Sequence, residues 1–260
     1  MPSPVLILTG ASRGLGFAIA QRLLSAHGAR LVTLQRTITP DLSQLAETYP
    51  ERLVNVSGDV AKPEDNVKAV RAAIDSFGQL NGLVLNAGSL EPMGKLADVP
   101  LDALVPSLQT NLLSALYLLQ PALPYLRKAA EGGQPSRVVF VSSGASGTGY
   151  QAWGMYSMNK AGLNSFARTL ATEERENGVA FFSVRPGVVD TDMQGAIRSQ
   201  GPAVMDPAQM SKFESLHREG KLLPPAKPGS VIAGLAVEGS PEWSGEYVDW
   251  ADERFKQWQA

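Results

Sequence analysis

The chain has no cysteine and only two histidines, His27 and His217, in 260 residues. The first absence excludes disulfides, thiol nucleophiles and cysteine-ligated metals. Two histidines do not make a three-histidine zinc site, a carboxylate site remains arithmetically open, and no metal is expected. An excess of one charge is missing too: 23 Lys and Arg against 25 Asp and Glu leave a formal net charge of −2. Binders of nucleic acid or of anionic membranes usually carry a basic excess, so neither partner is expected. No apolar run approaches the roughly 20 residues of a membrane span. The N-terminal apolar stretch is short, lacks a basic flank and meets Thr9-Gly10 at once. It reads as a strand rather than a signal peptide, and a cytoplasmic location is expected. Chemistry is left to hydroxyls, carboxylates, lysine and any bound cofactor.

What is present is a rhythm. Short apolar runs at 5–9, 31–35, 53–57, 82–85, 137–142 and 179–184 alternate with amphipathic stretches at 15–26, 64–77, 101–128 and 156–177. Buried strands alternating with helices imply a parallel sheet covered on both faces, a doubly wound, Rossmann-type α/β fold of about seven strands in a single domain, residues 1–260. Pro121 and Pro124 are expected to kink or split the long central helix. Residues 201–228 break the rhythm with several prolines and mixed charge. They read as an insertion or a substrate-covering loop, with helical pieces near 207–216.

Chemistry-bearing motifs sit at the ends of the strands. Thr9-Gly10-Ala11-Ser12-Arg13-Gly14-Leu15-Gly16 joins the first strand to the first helix. Glycines there let the backbone turn tightly and approach a pyrophosphate seated on the helix N-terminus. Asn86-Ala87-Gly88 ends the fourth strand. Tyr156 and Lys160 are four apart, hence on one helix face. Ser143 precedes Tyr156 by thirteen positions, Asn111 lies in the central helix, and 186–193 reads PGVVDTDM. Together these resemble the glycine loop, NAG, YxxxK, catalytic serine, catalytic asparagine and PG…T motifs of the short-chain dehydrogenase/reductase family, over almost the whole chain.

The resemblance implies a nicotinamide-dependent oxidoreductase with catalytic Asn111, Ser143, Tyr156 and Lys160. The cofactor would be held by Gly10, Ser12, Arg13, Gly14, Leu15, Gly16, Arg36, Asp59, Val60, Asn86, Ala87, Gly88, Tyr156, Lys160, Pro186, Gly187, Val189, Thr191 and Met193. Free tyrosine, with a pKa of about 10, is a poor acid or base at neutral pH. A nearby ammonium is expected to lower that value. Ser143 would donate a hydrogen bond to a carbonyl oxygen as hydride arrives, and Asn111 would hold a water near Lys160. The second strand ends Gln35-Arg36-Thr37 with no acid to grip a ribose. Arg36 and Arg13 suit a 2′-phosphate, so NADP(H) is expected, though both also read as solvated surface charges. Asp59 reads equally as a turn cap.

Within the family, 86–92, 153–156 and 189–194 resemble fungal benzil-reductase-like enzymes, relatives of sepiapterin reductase. That resemblance implies reduction of one carbonyl of a 1,2-diketone to an α-hydroxyketone with NADPH. Tyr150, Trp153 and Met193, with Met205, would edge the site, although ordinary core packing also accounts for them. Asp249 in Tyr247-Val248-Asp249-Trp250 reads either as an anchor for a pterin or as a surface acid. Family members commonly form homodimers through the two long helices; Leu112, Leu113, Leu116 and Leu119 suit that interface or the core. Two rivals are an NADP-binding regulator without catalysis, disfavoured by the intact tetrad, and an alcohol dehydrogenase, disfavoured by the arginine pair.

Overall fold

Strand β1 (Val5–Thr9) is buried along its whole length, as a central parallel strand covered on both faces must be. The computed structural model, which describes residues 3–259, sets it in the middle of a seven-stranded parallel sheet. The other strands are β2 (Arg30–Gln35), β3 (Leu53–Ser57), β4 (Gly82–Leu85), β5 (Ser136–Val141), β6 (Val179–Arg185) and β7 (Tyr247–Asp249). Their order is β3-β2-β1-β4-β5-β6-β7. The nine α-helices among the described residues are α1 (Gly14–Ser25), α2 (Pro40–Thr48), α3 (Pro63–Phe77), α4 (Leu101–Leu108), α5 (Ser114–Glu131), α6 (Gly154–Glu173), α7 (Asp192–Val204), α8 (Pro207–Arg218) and α9 (Ala226–Glu238).

Alternation along the strands divides the interior in two. Leu6 and Leu8 join Leu23 of α1 and Leu235 of α9 in one core. Val5 and Ile7 join Val70 of α3, Leu118 of α5 and Leu163 of α6 in the other. A third, smaller cluster lies outside the sheet and joins Tyr156 of α6 to residues of α7 and α8. From β1 the chain builds outward to β2 and β3, then returns to β4 on the other side of β1. The crevice between the carboxyl ends of β1 and β4 is the topological switch point, where ligands of such sheets bind.

Two expectations need correction, and one helix was not expected at all. Pro121 and Pro124 do not divide α5, which runs unbroken past both. The carbonyls they deprive of a donor, on Tyr117 and Gln120, belong to partly exposed and exposed residues, so the lost bonds need not be made good within the protein. The interruption lies upstream, in a π-helical turn at Gln109–Leu113. Residues 201–228 are more helical than expected: α8 matches the helical piece read near 207–216, but the segment also holds the end of α7 and the start of α9 and is not a loop. Asp206 caps α8, its carboxylate accepting from Ala208 and Gln209 with Pro207 in the first turn. Helix α2 went unread, although Thr39 followed by Pro40 is a cap signature, and Thr39 Oγ1 accepts from Leu42 N at 3.4 Å.

The helix that carries Tyr156 and Lys160 is clamped at its far end. Arg127 of α5 donates from Nε and Nη2, at 2.8 and 2.6 Å, to the buried carboxylate of Glu174. Among the described residues no helix is long and apolar enough to cross a membrane.

Candidate active site

The switch-point crevice is built by backbone economy. Thr9 Oγ1 accepts from the N–H groups of Asn86 and Ala87, both at 3.0 Å. The Asn86 amide donates back to the carbonyls of Thr9 and Gly10, at 3.0 and 3.1 Å. The glycine loop and the end of β4 are thus one hydrogen-bonded unit. Gly16 lies so close under this turn that a Cβ there would stand 2.0 Å from the Gly10 carbonyl oxygen and 2.6 Å from Asn86 Nδ2. Gly10 itself has φ +73°, a conformation glycine adopts without strain.

Helix α1 opens at Gly14 with no side-chain cap. Its first N–H groups therefore remain available, and with the helix dipole they form an anion site. The 186–193 segment reaches back over this point. The Thr191 methyl would lie 3.0 Å from a Cβ on Gly14, and Arg13 pairs with Asp192 at 2.9 Å. Pro186, Gly187, Val189 and Met193 belong to this same wall, held by a bridge between Val189 and Leu223. Ser12 Oγ donates to the Thr37 carbonyl at 2.6 Å, and Thr39 Oγ1 to the Ser12 carbonyl at 2.9 Å. These two bonds tie the glycine loop to the end of β2, where Arg36 is exposed. The uncapped helix start, the glycine cradle and the two arginines fit a dinucleotide.

Farther along the crevice, Ser143 follows β5 and caps a short 3₁₀ turn, its Oγ accepting from Ala145 N at 3.1 Å. That bond leaves the serine hydrogen free to donate. Lys160 is buried, and its ammonium donates to the Val141 carbonyl at 2.7 Å. Asn111 sits in the π-helical turn. Its Oδ1 accepts from Ser89 N at 2.8 Å, and its Nδ2 donates to the Ser107 carbonyl at 3.1 Å. Gly88 separates the two side chains: a Cβ there would meet Asn111 Oδ1 at 3.0 Å and Lys160 Nζ at 3.4 Å.

Burial governs the two titrating groups. It lowers Lys160 to about 8. It pushes the Tyr156 phenol above its ordinary value, with the Ser143 hydroxyl acting in the opposite sense. This corrects the expectation of a lowered tyrosine: desolvation of the phenolate outweighs what its neighbours supply. Tyr156 is therefore a protonated donor at neutral pH.

Tyr150, Trp153, Met193 and Met205 gather beside Tyr156 with Ile197, Met210 and Phe213. Trp153 stands edge-on to Tyr156, centroids 6.1 Å apart, with Tyr150 at 4.8 Å and Phe213 at 5.2 Å on it. Two other candidates are engaged elsewhere. Asp249 is ion-paired with Arg185 and also accepts from Ala251 N. Asp59 caps its own turn through Ala61 N at 3.0 Å, next to buried Val60. Sequence reasoning missed Thr9, Arg185, Phe213 and Tyr247, whose hydroxyl donates to the Ser143 carbonyl at 2.8 Å. The Thr9 signal was its place before Gly10; the others come from distant segments and carried no local one.

The model of the short chain dehydrogenase family matches residues 4–202. The chain belongs to that family. Over 95% of its length, it is 37% identical to an uncharacterized oxidoreductase of Saccharomyces cerevisiae, covering 96% of that protein. It is also 33% identical to a benzil reductase ((S)-benzoin forming) of the same yeast, across 96% of this chain and 97% of that one. The crystal structure of the KRED1-Pglu enzyme superposes with a TM-score of 0.88 at 38% identity, covering 95% of this chain and all of that one. This short-chain dehydrogenase is accordingly an oxidoreductase that works with a nicotinamide cofactor on alcohol and carbonyl groups.

The lowered Lys160 has a consequence for stability. Lys160 loses its proton near pH 8 in the folded dehydrogenase and near 10.5 when unfolded. Below 8 both states are protonated and the full cost of burying the charge applies. Between 8 and 10.5 the unfolded state binds more protons, so stability rises with pH. Over that range the wild type should gain up to about 3 kcal/mol on a Lys160→Met variant in denaturant unfolding. Unfolding curves that keep a constant separation would show that burial does not lower Lys160.

Proposed function

We propose that this dehydrogenase is an NADPH-dependent carbonyl reductase that converts one carbonyl of a 1,2-diketone of the benzil type to an α-hydroxyketone, with Tyr156 as general acid. The observation that carries the reading is the protonated, buried Tyr156 set against the aromatic cluster of Tyr150, Trp153 and Phe213. Such a wall suits an aryl ketone by area and by ring geometry. The similarity to a benzil reductase supports the same substrate class.

In this reading Ser143 Oγ donates to the carbonyl oxygen and Tyr156 delivers its phenolic proton to that atom as charge develops there. Lys160 in its cationic form would hold the ribose hydroxyls of the cofactor. Reduced NADP, when bound, supplies the hydride. Arg36 and Arg13 would take the 2′-phosphate through paired N–H groups; Arg13 must then share itself with Asp192. Helices α7 and α8 would cover the substrate. A cytoplasmic location belongs to the same proposal. So does a homodimer, supported by exposed Leu101 and Val105 on α4 and Met158 on α6.

The test is NADPH oxidation with benzil and other 1,2-diketones. Tyr156→Phe should abolish turnover while NADPH still binds, read by fluorescence titration; retained turnover would remove Tyr156 from its role. Arg36→Asp should lower kcat/KM for NADPH by about tenfold or more, with NADH much less affected. A wild type that prefers NADH would overturn the cofactor assignment. Light scattering of the same preparation should give the dimer mass, and a monomer mass would overturn the homodimer.

A further inference from the structure

Trp153 is 5% exposed, and its indole Nε1 is buried without a hydrogen-bond partner among the described residues. A buried N–H normally finds an acceptor, and phenylalanine would fill an aromatic cluster without leaving a donor unpaired. Two neighbouring polar tips are served: Tyr150 receives from Lys212 at 3.2 Å, and Ser143 Oγ from Ala145; Ser157 Oγ and Gln194 Oε1 share the unpartnered state of the indole. The ring is held firmly. Its backbone bridges to Gly94, and it stands three residues before Tyr156 at the start of α6. The opposite side of the cluster is supplied by Met205, Met210 and Phe213, from α8 and the turn before it.

A 1,2-diketone presents two acceptors. Hydride adds to one carbonyl carbon, and Tyr156 protonates the oxygen on that carbon. The second carbonyl survives in the product, and its oxygen needs a donor once it leaves water. We propose that the Trp153 indole N–H is that donor, making Trp153 the residue that selects vicinal diketones over monoketones of the same shape. The inference rests on the reading of the protein as a diketone reductase. It adds which group recognises the carbonyl that does not react.

The test compares benzil with deoxybenzoin, the same two-ring skeleton with one carbonyl replaced by a methylene. Trp153→Phe keeps an aromatic ring but removes the donor together with part of the indole's volume, and deoxybenzoin, which shares benzil's two-ring skeleton, controls for that lost volume. The ratio of kcat/KM for benzil to that for deoxybenzoin should fall about tenfold relative to wild type. An unchanged ratio, whether both rates fall together or neither falls, would overturn the assignment and leave Trp153 a packing residue. A second measurement uses only the wild type. With NADP+ present, so that no reduction occurs, one of the four tryptophan indole N–H resonances should move downfield on adding benzil and not on adding deoxybenzoin. Equal response to both ligands would count against the hydrogen bond. Wild-type protein that reduces neither benzil nor any other 1,2-diketone would instead remove the diketone reading itself, and the role of Trp153 with it.

Discussion

The hydrogen bonds between Thr9 and the Asn86-Ala87 backbone, returned by the Asn86 amide to Thr9 and Gly10, hold the site together. They join the carboxyl ends of β1 and β4, the two strands that flank the topological switch point. That junction places the glycine loop and the Asn86-Ala87-Gly88 turn against each other. The glycine loop turns on it, α1 starts from it, and Gly88 leaves it to pass between Asn111 and Lys160. Substituting a larger group at Gly16 would strike the junction directly. The glycines of this loop are therefore a packing requirement of the free protein as well as a means of approaching phosphate.

A second constraint is the burial of Lys160 and Tyr156 on one turn of α6. Withdrawing both from water costs free energy and moves their protonation in opposite directions: the ammonium becomes easier to deprotonate, the phenol harder. Near neutral pH the pair holds a cation and a neutral proton donor, the combination a carbonyl reductase uses. The rest of the fold restrains the helix that pays this cost. The Arg127–Glu174 clamp fixes its far end, Ser142 Oγ donates to the Lys160 carbonyl, and the Tyr247 hydroxyl steadies the Ser143 backbone opposite.

Much of the site was legible because its parts are local. The TGxxxGxG turn, Asn86-Ala87-Gly88 and the Tyr156–Lys160 pair each lie within one strand end or one helical turn, so spacing alone carries their geometry. Residues 201–228 were harder. Their prolines and mixed charge suggested an insertion with a helical piece near 207–216; that piece is α8, with Pro207 in its first turn where the missing N–H costs nothing, but the helix ends on either side of it were not read. Pro121 and Pro124 misled, because the helix around them is fixed by packing against α3 and the sheet rather than by propensity. The aromatic residues of 150–156 were noticed, but their packing against Phe213 was not, since that contact spans some sixty residues of sequence.

By itself the sequence determined the parallel α/β class and the absence of thiol chemistry, while the family resemblance pointed to Asn111, Ser143, Tyr156 and Lys160. The first two follow from periodicity and composition, which a chain carries whatever its tertiary contacts. The tertiary structure decided which charges are engaged and which groups are dry. Arg13 meets Asp192, Asp249 meets Arg185, the Tyr156 phenol is raised rather than lowered, and the Trp153 N–H is left without a partner among the described residues. Ion pairs and desolvation depend on which distant segments come together and on how much water they exclude. Neither quantity is written in residues that are neighbours along the chain.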